Sequence, residues 1–300
     1  MNNQKKAYLL ALLAVLFWST AASAFKISLR YVHYSMLLLF SSLVSAFIFL
    51  FIILYKKEAG LLFKISRQQF VNSLLLGFLN PFLYYIVLFK AYTLIPAQQA
   101  QPLNFIWPVM LVILSIPILK QKISFRIILS LIISFLGVFI ISTQGNFRDL
   151  TLSNPLGIFL ALASSLIWAL FWLLNMKDNR NEVHKLVLSF FFGSVFTVIY
   201  IFILGDFKWF PMTGLLGTIY VGFFEMGITF YIWLKALKLS RTTAEVNSLI
   251  YITPLLSLGF IKIIVGETIT VFTILGVFLI IFGIIVNNRI KIPKKNSRIS

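Results

Sequence analysis

Apolar residues in this chain come in long unbroken runs. They neither alternate at the period of a half-buried strand nor form the single stripe of a surface helix. A run of roughly 18 or more apolar residues lets one helix cross a bilayer core of about 30 Å. The runs predict ten such helices: Tyr8–Phe25, Ser35–Tyr55, Phe70–Phe89, Ala97–Leu119, Ile127–Thr143, Leu156–Leu174, Leu186–Leu204, Met212–Leu234, Thr243–Ile264 and Val271–Val286. No stretch between them is long enough for a separate soluble domain. The pattern therefore predicts an all-α integral membrane protein.

Charge adds a direction. Only 11% of residues are charged and 60% are hydrophobic, against about 25% and about 45–50% in soluble domains. A net charge of +18 suggests nucleic acid in a soluble protein. Here the basic residues sit in short loops between apolar runs, where they set topology, so the expected surroundings are membrane lipid and no nucleic-acid partner is expected. With the N-terminus in the cytoplasm, 20 of the 26 Lys and Arg fall on the cytoplasmic side. Lys26, Arg30, Lys90, Arg148, Lys208 and Lys262 fall outside. Omitting any one early segment inverts the later loops and spoils this separation. Both chain ends are thus expected in the cytoplasm, the last as a basic tail over 289–300. Lys5-Lys6, the first apolar run and Ala22-Ser23-Ala24 also imitate a cleavable signal peptide, but cleavage would remove one copy of a repeated helix, so the segment is read as retained.

That repeat relates the two halves of the chain. LLAVLFW (Leu12–Trp18) aligns with LASSLIW (Leu162–Trp168) at an offset of 150. In the third and eighth segments, Gly77, Asn80, Lys90 and Ala91 match Gly222, Glu225, Lys235 and Ala236 at an offset of 145. In the fourth and ninth, Gln101, Phe105 and Pro108 match Asn247, Tyr251 and Pro254 at 146, and Gly137 keeps that offset to Gly283. Five crossings per copy is an odd number, so the copies must lie inverted in the membrane, as in secondary transporters. The alternative is duplication of a stable helix bundle that transports nothing.

Ten segments in a five-plus-five inverted repeat resemble the drug/metabolite transporter superfamily, with two EamA-type domains over 1–145 and 146–288. The pieces that carry the resemblance are FWST around Trp18, FKAYTLIPAQQAQPLNFIWP (Phe89–Pro108), LKALKLSRTTAEVNSLIYITP (Leu234–Pro254) and GETIT (Gly266–Thr270). The resemblance implies export of amino acids or other small metabolites across a bacterial cytoplasmic membrane. The FIWP segment is also similar to a branch of aromatic amino-acid exporters. In the family a Glu commonly precedes the last helix of each half. Glu267 fits, but the first half has Gln121, so Glu267 is read as structural.

Polar side chains in hydrocarbon must be paired or face a wet cavity, which makes them candidates for a site. Glu225 lies near the middle of the eighth segment and its repeat partner Asn80 in the third. An ionised carboxylate there costs about 2.5–3.5 kcal/mol, so it should be neutral, paired or wet. It is read as a proton- or substrate-binding acid; the alternative is a protonated Glu bonded to a neighbouring helix. Glu245 completes a capping box with Thr242 and is read as structural. Gln98, Gln101, Asn104 and Phe105 stand at helical spacings in the fourth segment, echoed by Asn247 and Tyr251 in the ninth. Prolines 102, 108 and 254 can kink these helices. The amides suit either a cavity wall or helix–helix bonding. Trp18 and Trp168 sit deep enough to stack on a substrate or simply to pack, whereas Trp209 and Trp233 are expected in the interfacial belt. Gly77, Gly137, Gly222 and Gly283 are expected at close helix contacts.

Other chemistry is scarce. The chain has no Cys and only two His, His33 and His184, both in predicted loops. No metal or cofactor is therefore expected. No Walker-type phosphate loop occurs, so any transport must draw on a gradient. Catalysis would want clustered carboxylates, His or a nucleophile–base pair, and an enzyme is not expected. The alternatives to a metabolite exporter are a flippase or transporter of lipid-linked or nucleotide-linked sugars, and a passive channel. The latter lacks acidic rings or a filter-like motif.

Overall fold

The computed structural model describes residues 3–62, 65–119, 125–146, 154–240, 246 and 248–288, and among these every regular element is helical. In chain order the apolar helices are α1 (Asn3–Ser28), α2 (Tyr34–Tyr55), α3 (Arg67–Leu94), α4 (Ala97–Ile118), α5 (Ile128–Thr143), α6 (Pro155–Asn175), α7 (Glu182–Leu204), α8 (Met212–Leu239), α9 (Leu249–Val265) and α10 (Val271–Val286). Seven are long and apolar enough to cross a membrane; α5, α9 and α10 are shorter. Their outer surfaces carry large apolar side chains, such as Phe47 at 67%, Phe202 at 87% and Ile263 at 82% exposure. Water would penalise such a surface, whereas lipid does not.

Local sequence sets the helix ends. Ser66 and Gln69 form a reciprocal capping box that starts α3 at Arg67, three residues ahead of the expected start. The Asn154 side chain caps α6 with Pro155 at its first position. Asn181 caps α7 through the Val183 N–H, and Gly205 closes that helix at φ 65°.

Several helices are broken inside the bundle. α3 passes through a π-type turn over Phe78–Leu83, where Asn80 is non-helical (φ −146°, ψ 121°). α8 passes through another over Val221–Gly227, which ends at Gly227 with φ −98° and ψ −98°. A tight turn (Ser248–Ile252) leads into α9, which continues as an α-helix (Thr253–Phe260) and closes on a π-type end (Ile261–Val265). The single helix expected over Ala97–Leu119 is interrupted between Asn104 and Trp107. Pro108 lacks an N–H and cannot reach back to the carbonyl of Asn104.

α1 packs along α8 and α9, and α6 packs along α3 and α4. α2 lies against α7 and α8, α3 lies against α7, and α5 pairs with α10. Glycines allow close approaches at two of these contacts. A Cβ on Gly77 would stand 2.6 Å from the Ser189 carbonyl, and one on Gly222 would stand 2.6 Å from the Ser41 carbonyl. Around Gly222, Ser45 Oγ donates to its carbonyl (2.7 Å) and Ser41 Oγ donates to Thr218 O (3.0 Å).

Polar clasps hold the loops. At one end Lys26 Nζ donates to the carbonyls of Tyr92 (2.8 Å) and Ile95 (2.9 Å), pinning α1 to the α3–α4 corner. At the other end Lys185, 1% exposed, donates to the carbonyls of Asn175 and Asp178 and to Glu182 Oε1 (2.8 Å). Arg180 pairs with Asp178 at 2.6 Å and reaches Ser73 Oγ. Burial pushes the Asp178 carboxyl up, but the hydrogen bonds and charge of Arg180 outweigh it and hold it below the usual carboxylate range. His184, expected in a loop, stands instead in the first turn of α7, 3.5 Å from Glu58.

Candidate substrate-binding site

Glu225 stands at the centre of α8, inside its π-type turn. Such a turn displaces backbone acceptors from their usual partners, and neighbouring groups meet two of them. Thr229 Oγ1 donates to the Phe224 carbonyl, and the Trp18 indole N–H donates to the Glu225 carbonyl at 3.3 Å. The side chain is 9% exposed. Its Oε1 accepts from the Tyr85 hydroxyl at 3.2 Å, and its Oε2 has no partner. The four ion pairs among the described residues all lie elsewhere.

A file of aromatic rings runs past this carboxyl group. Trp18 meets Trp233 at 5.3 Å and Phe230 at 5.9 Å; Phe230 meets Trp168 at 5.8 Å. Trp168 lies on Tyr84 at 4.6 Å, and Tyr84 meets Tyr85 edge-on at 4.6 Å. The two repeat-related indoles thus flank one Phe, and both remain half-buried rather than sealed in. A polar branch leaves Tyr84: its hydroxyl donates to Asn104 Oδ1 (3.2 Å), Asn104 Nδ2 donates to Ser164 Oγ (2.8 Å), and Ser164 donates to the Ala161 carbonyl.

Glu225, Trp18, Trp168 and Asn104 therefore come together. Trp233 is corrected: at 6% exposure it packs on Trp18 inside the bundle rather than standing in an exposed belt, since the later half of α8 lies along α1. Trp209, 84% exposed, lies at the surface. Gln98 is also placed elsewhere. Its amide donates to the Thr268 carbonyl and accepts from the Thr270 N–H and Thr273 hydroxyl. Beside it the Glu267 carboxylate accepts from the N–H groups of Ala97 (2.8 Å) and Gln98 (2.9 Å), which caps α4 and meets its positive dipole end.

Asn80 is fully buried and neither end of its amide is bonded. Gln101, 9% exposed, has an unpartnered Oε1. Tyr251 packs half-buried on the core. Pro254 lines a small apolar crevice with Pro102, Phe105 and Val277, and Pro108 is buried. Glu245 and Asn247 lie outside the described residues.

Tyr84, Tyr85, Phe230 and Ser164 were not singled out from the sequence. One signal was there: Tyr85 and Phe230 differ by the same 145 residues that relate Asn80 to Glu225.

The sequence profile of the EamA-like transporter family matches residues 5–143 and again 155–289, nearly the whole chain. The chain belongs to the EamA-like transporter family. This transporter is a multi-pass membrane protein with bacterial relatives. It is 32% identical over 184 residues to an uncharacterized transporter of Clostridium kluyveri, a match covering 57% of this chain and 56% of that one. The chain thus aligns with just over half the length of that relative. It is 23% identical over 244 residues to the uncharacterized transporter YyaM of Bacillus subtilis, covering 77% and 78%. A protein of known crystal structure shares the transporter's fold with a TM-score of 0.68 over 95% of this chain and 97% of that one, at 17% identity.

Proposed function

We propose that this transporter is a gradient-driven exporter of amino acids or related small metabolites, that it works by alternating access, and that Glu225 is its proton- or substrate-binding acid. The observation that carries the proposal is the Glu225 carboxyl group. It sits mid-helix in an apolar bundle, with one oxygen unpartnered and aromatic rings alongside. A bilayer-embedded protein retains such a group at a cost, and the usual return is function.

The packing supports a ten-crossing inverted repeat over 1–145 and 146–288. The α1–α8 contact has a counterpart five helices away in α6–α3, α1–α9 in α6–α4, and α2–α8 in α7–α3. The π-type turns of α3 and α8 hold Asn80 and Glu225, which the repeat relates. Two inverted copies can exchange conformations, and so expose one central site first to one compartment and then to the other. Both chain ends lie in the cytoplasm of a bacterial inner membrane on this reading, as the Lys and Arg distribution favours.

The test is uptake into proteoliposomes from an amino-acid panel, with and without a pH gradient, comparing the wild type with Glu225→Gln. Wild-type protein should carry at least one solute in a proton-dependent way, and the variant should lose that dependence. Full proton-dependent transport by Glu225→Gln would refute the role given to Glu225.

A further inference from the structure

The α3–α4 corner is gripped by charge from both sides. The Lys26 ammonium group, on α1, takes the carbonyls of Tyr92 and Ile95 at the end of α3. Just beyond, the Glu267 carboxylate takes the N–H groups of Ala97 and Gln98 at the start of α4. Each charge meets the helix end of opposite polarity, where it binds best. The Gln98 amide spans the same loop, donating to Thr268 O (2.7 Å) and accepting from the Thr270 N–H (3.1 Å) and the Thr273 hydroxyl (3.2 Å). Around it, Arg30 donates to the Val265 carbonyl (3.3 Å) and Thr270 donates to Gln144 Oε1 (2.7 Å). Arg30, Ala97, Gln98 and Gln144 belong to 1–145, whereas Val265, Glu267 and Thr270 belong to 146–288. These bonds therefore tie one proposed half to the other. All of them lie at the end of the bundle where α1, α3, α5 and α9 finish, the outer end on the topology proposed above.

Inverted copies that exchange conformations trade a contact at one end for its counterpart at the other. Here the two ends are not equivalent in sequence. The offset of 146 sets Gln121 against Glu267 and Ala244 against Gln98, and the offset of 150 sets Met176 against Lys26. Gln121 and Ala244 lie outside the described residues. The inner counterpart thus lacks both charges and the bridging amide. Hydrogen bonds to an ionised group are roughly twice as strong as neutral ones, which makes the outer closure the stronger of the two. We infer that Lys26, Gln98 and Glu267 form an outer latch that holds the transporter closed to the outside at rest and must release before it opens that way. This rests on the transporter reading and adds to it the element that biases the resting state. Lys26 fixes the corner, and Glu267 and Gln98 close the opposite half onto it.

The chain has no Cys, so single thiol reporters can be placed at will. Ser23→Cys stands one turn inside Lys26 on α1, at a position 1% exposed whose hydroxyl has no partner. Leu173→Cys, at a position 2% exposed, stands 150 residues on, near the inner end of α6. Labelling of each by a charged maleimide is timed on the full-length protein in nanodiscs, which leave both faces open to the reagent. Ser23→Cys should label slowly in the otherwise wild-type protein. Glu267→Gln should speed it by about five-fold or more without speeding Leu173→Cys. Gln121→Glu, which adds a charge to the inner counterpart, should speed Ser23→Cys and slow Leu173→Cys. A passive helix cap behaves otherwise: its loss loosens both ends alike, and a carboxylate at 121 leaves Ser23→Cys unmoved. Either of those results overturns the latch, as does fast labelling of Ser23→Cys without a second substitution. Counterflow of the amino-acid panel in proteoliposomes separates the two claims. The expected labelling shifts without exchange of any solute sink the transporter reading alone; exchange with Ser23→Cys labelling unmoved by both variants sinks the latch alone.

Discussion

Replacing Gly222 by Ala tests whether the α2–α8 contact is as close as the structure places it. The added Cβ would stand 2.6 Å from the Ser41 carbonyl and 2.6 Å from Val44 Cβ. Neither is the end of a flexible side chain, so one helix must move. Forced overpacking of this kind costs about 1–3 kcal/mol. The same displacement stretches the Ser45–Gly222 and Ser41–Thr218 bonds. Interhelical bonds in membranes average about 0.6 kcal/mol each, so their loss adds roughly 1 kcal/mol. The expected total is about 2–4 kcal/mol of lost stability, sensed one turn away from Glu225. The control is Gly259→Ala in α9, where a Cβ meets nothing within 4 Å. Ala is the better helix former by up to about 1 kcal/mol, so this change should be neutral or slightly stabilising. Unfolding in SDS from mixed micelles, followed by tryptophan fluorescence, reads both. A Gly222→Ala protein within about 0.5 kcal/mol of wild type, or a Gly259→Ala protein that loses as much, refutes the packing argument.

Two further changes probe the ends of the bundle. Glu267→Ala frees the N–H groups of Ala97 and Gln98; loss of such a cap should cost about 0.5–2 kcal/mol in the same assay, and Glu267→Gln should cost less. Asp178 has its pKa held down in the folded protein, so its contribution is fully present above the unfolded carboxylate value and is lost as pH falls through the folded one. The stability gap between wild type and Asp178→Asn should therefore be widest near neutral pH and narrow as the pH falls below the ordinary carboxylate range; a gap that does not change with pH contradicts the Arg180 pairing.

The sequence by itself determined the helical class, the position of each apolar segment and the family. The reason is that crossing a bilayer is a local demand: each run must satisfy its own backbone and be long enough alone. The proposed repeat was suggested on the same terms, since matching runs such as those ending at Trp18 and Trp168 recur at a near-constant offset. Glu225 could be singled out because a carboxyl group inside an apolar run is conspicuous wherever the helix packs. Its surroundings could not be read that way. Tyr85 reaches Glu225 across 140 residues and Trp18 across 207, so the site exists only once α1, α3 and α8 converge. Gln98 shows the same limit from the other side. Its helical spacing suggested a cavity wall, but the loop of Glu267 and Thr268, about 170 residues away, takes up its amide. The π-type turn in α8 has no signal in local composition. It is a backbone register shift in which two carbonyls receive side-chain donors, one from Thr229 five residues on and one from Trp18, which only the folded bundle brings there.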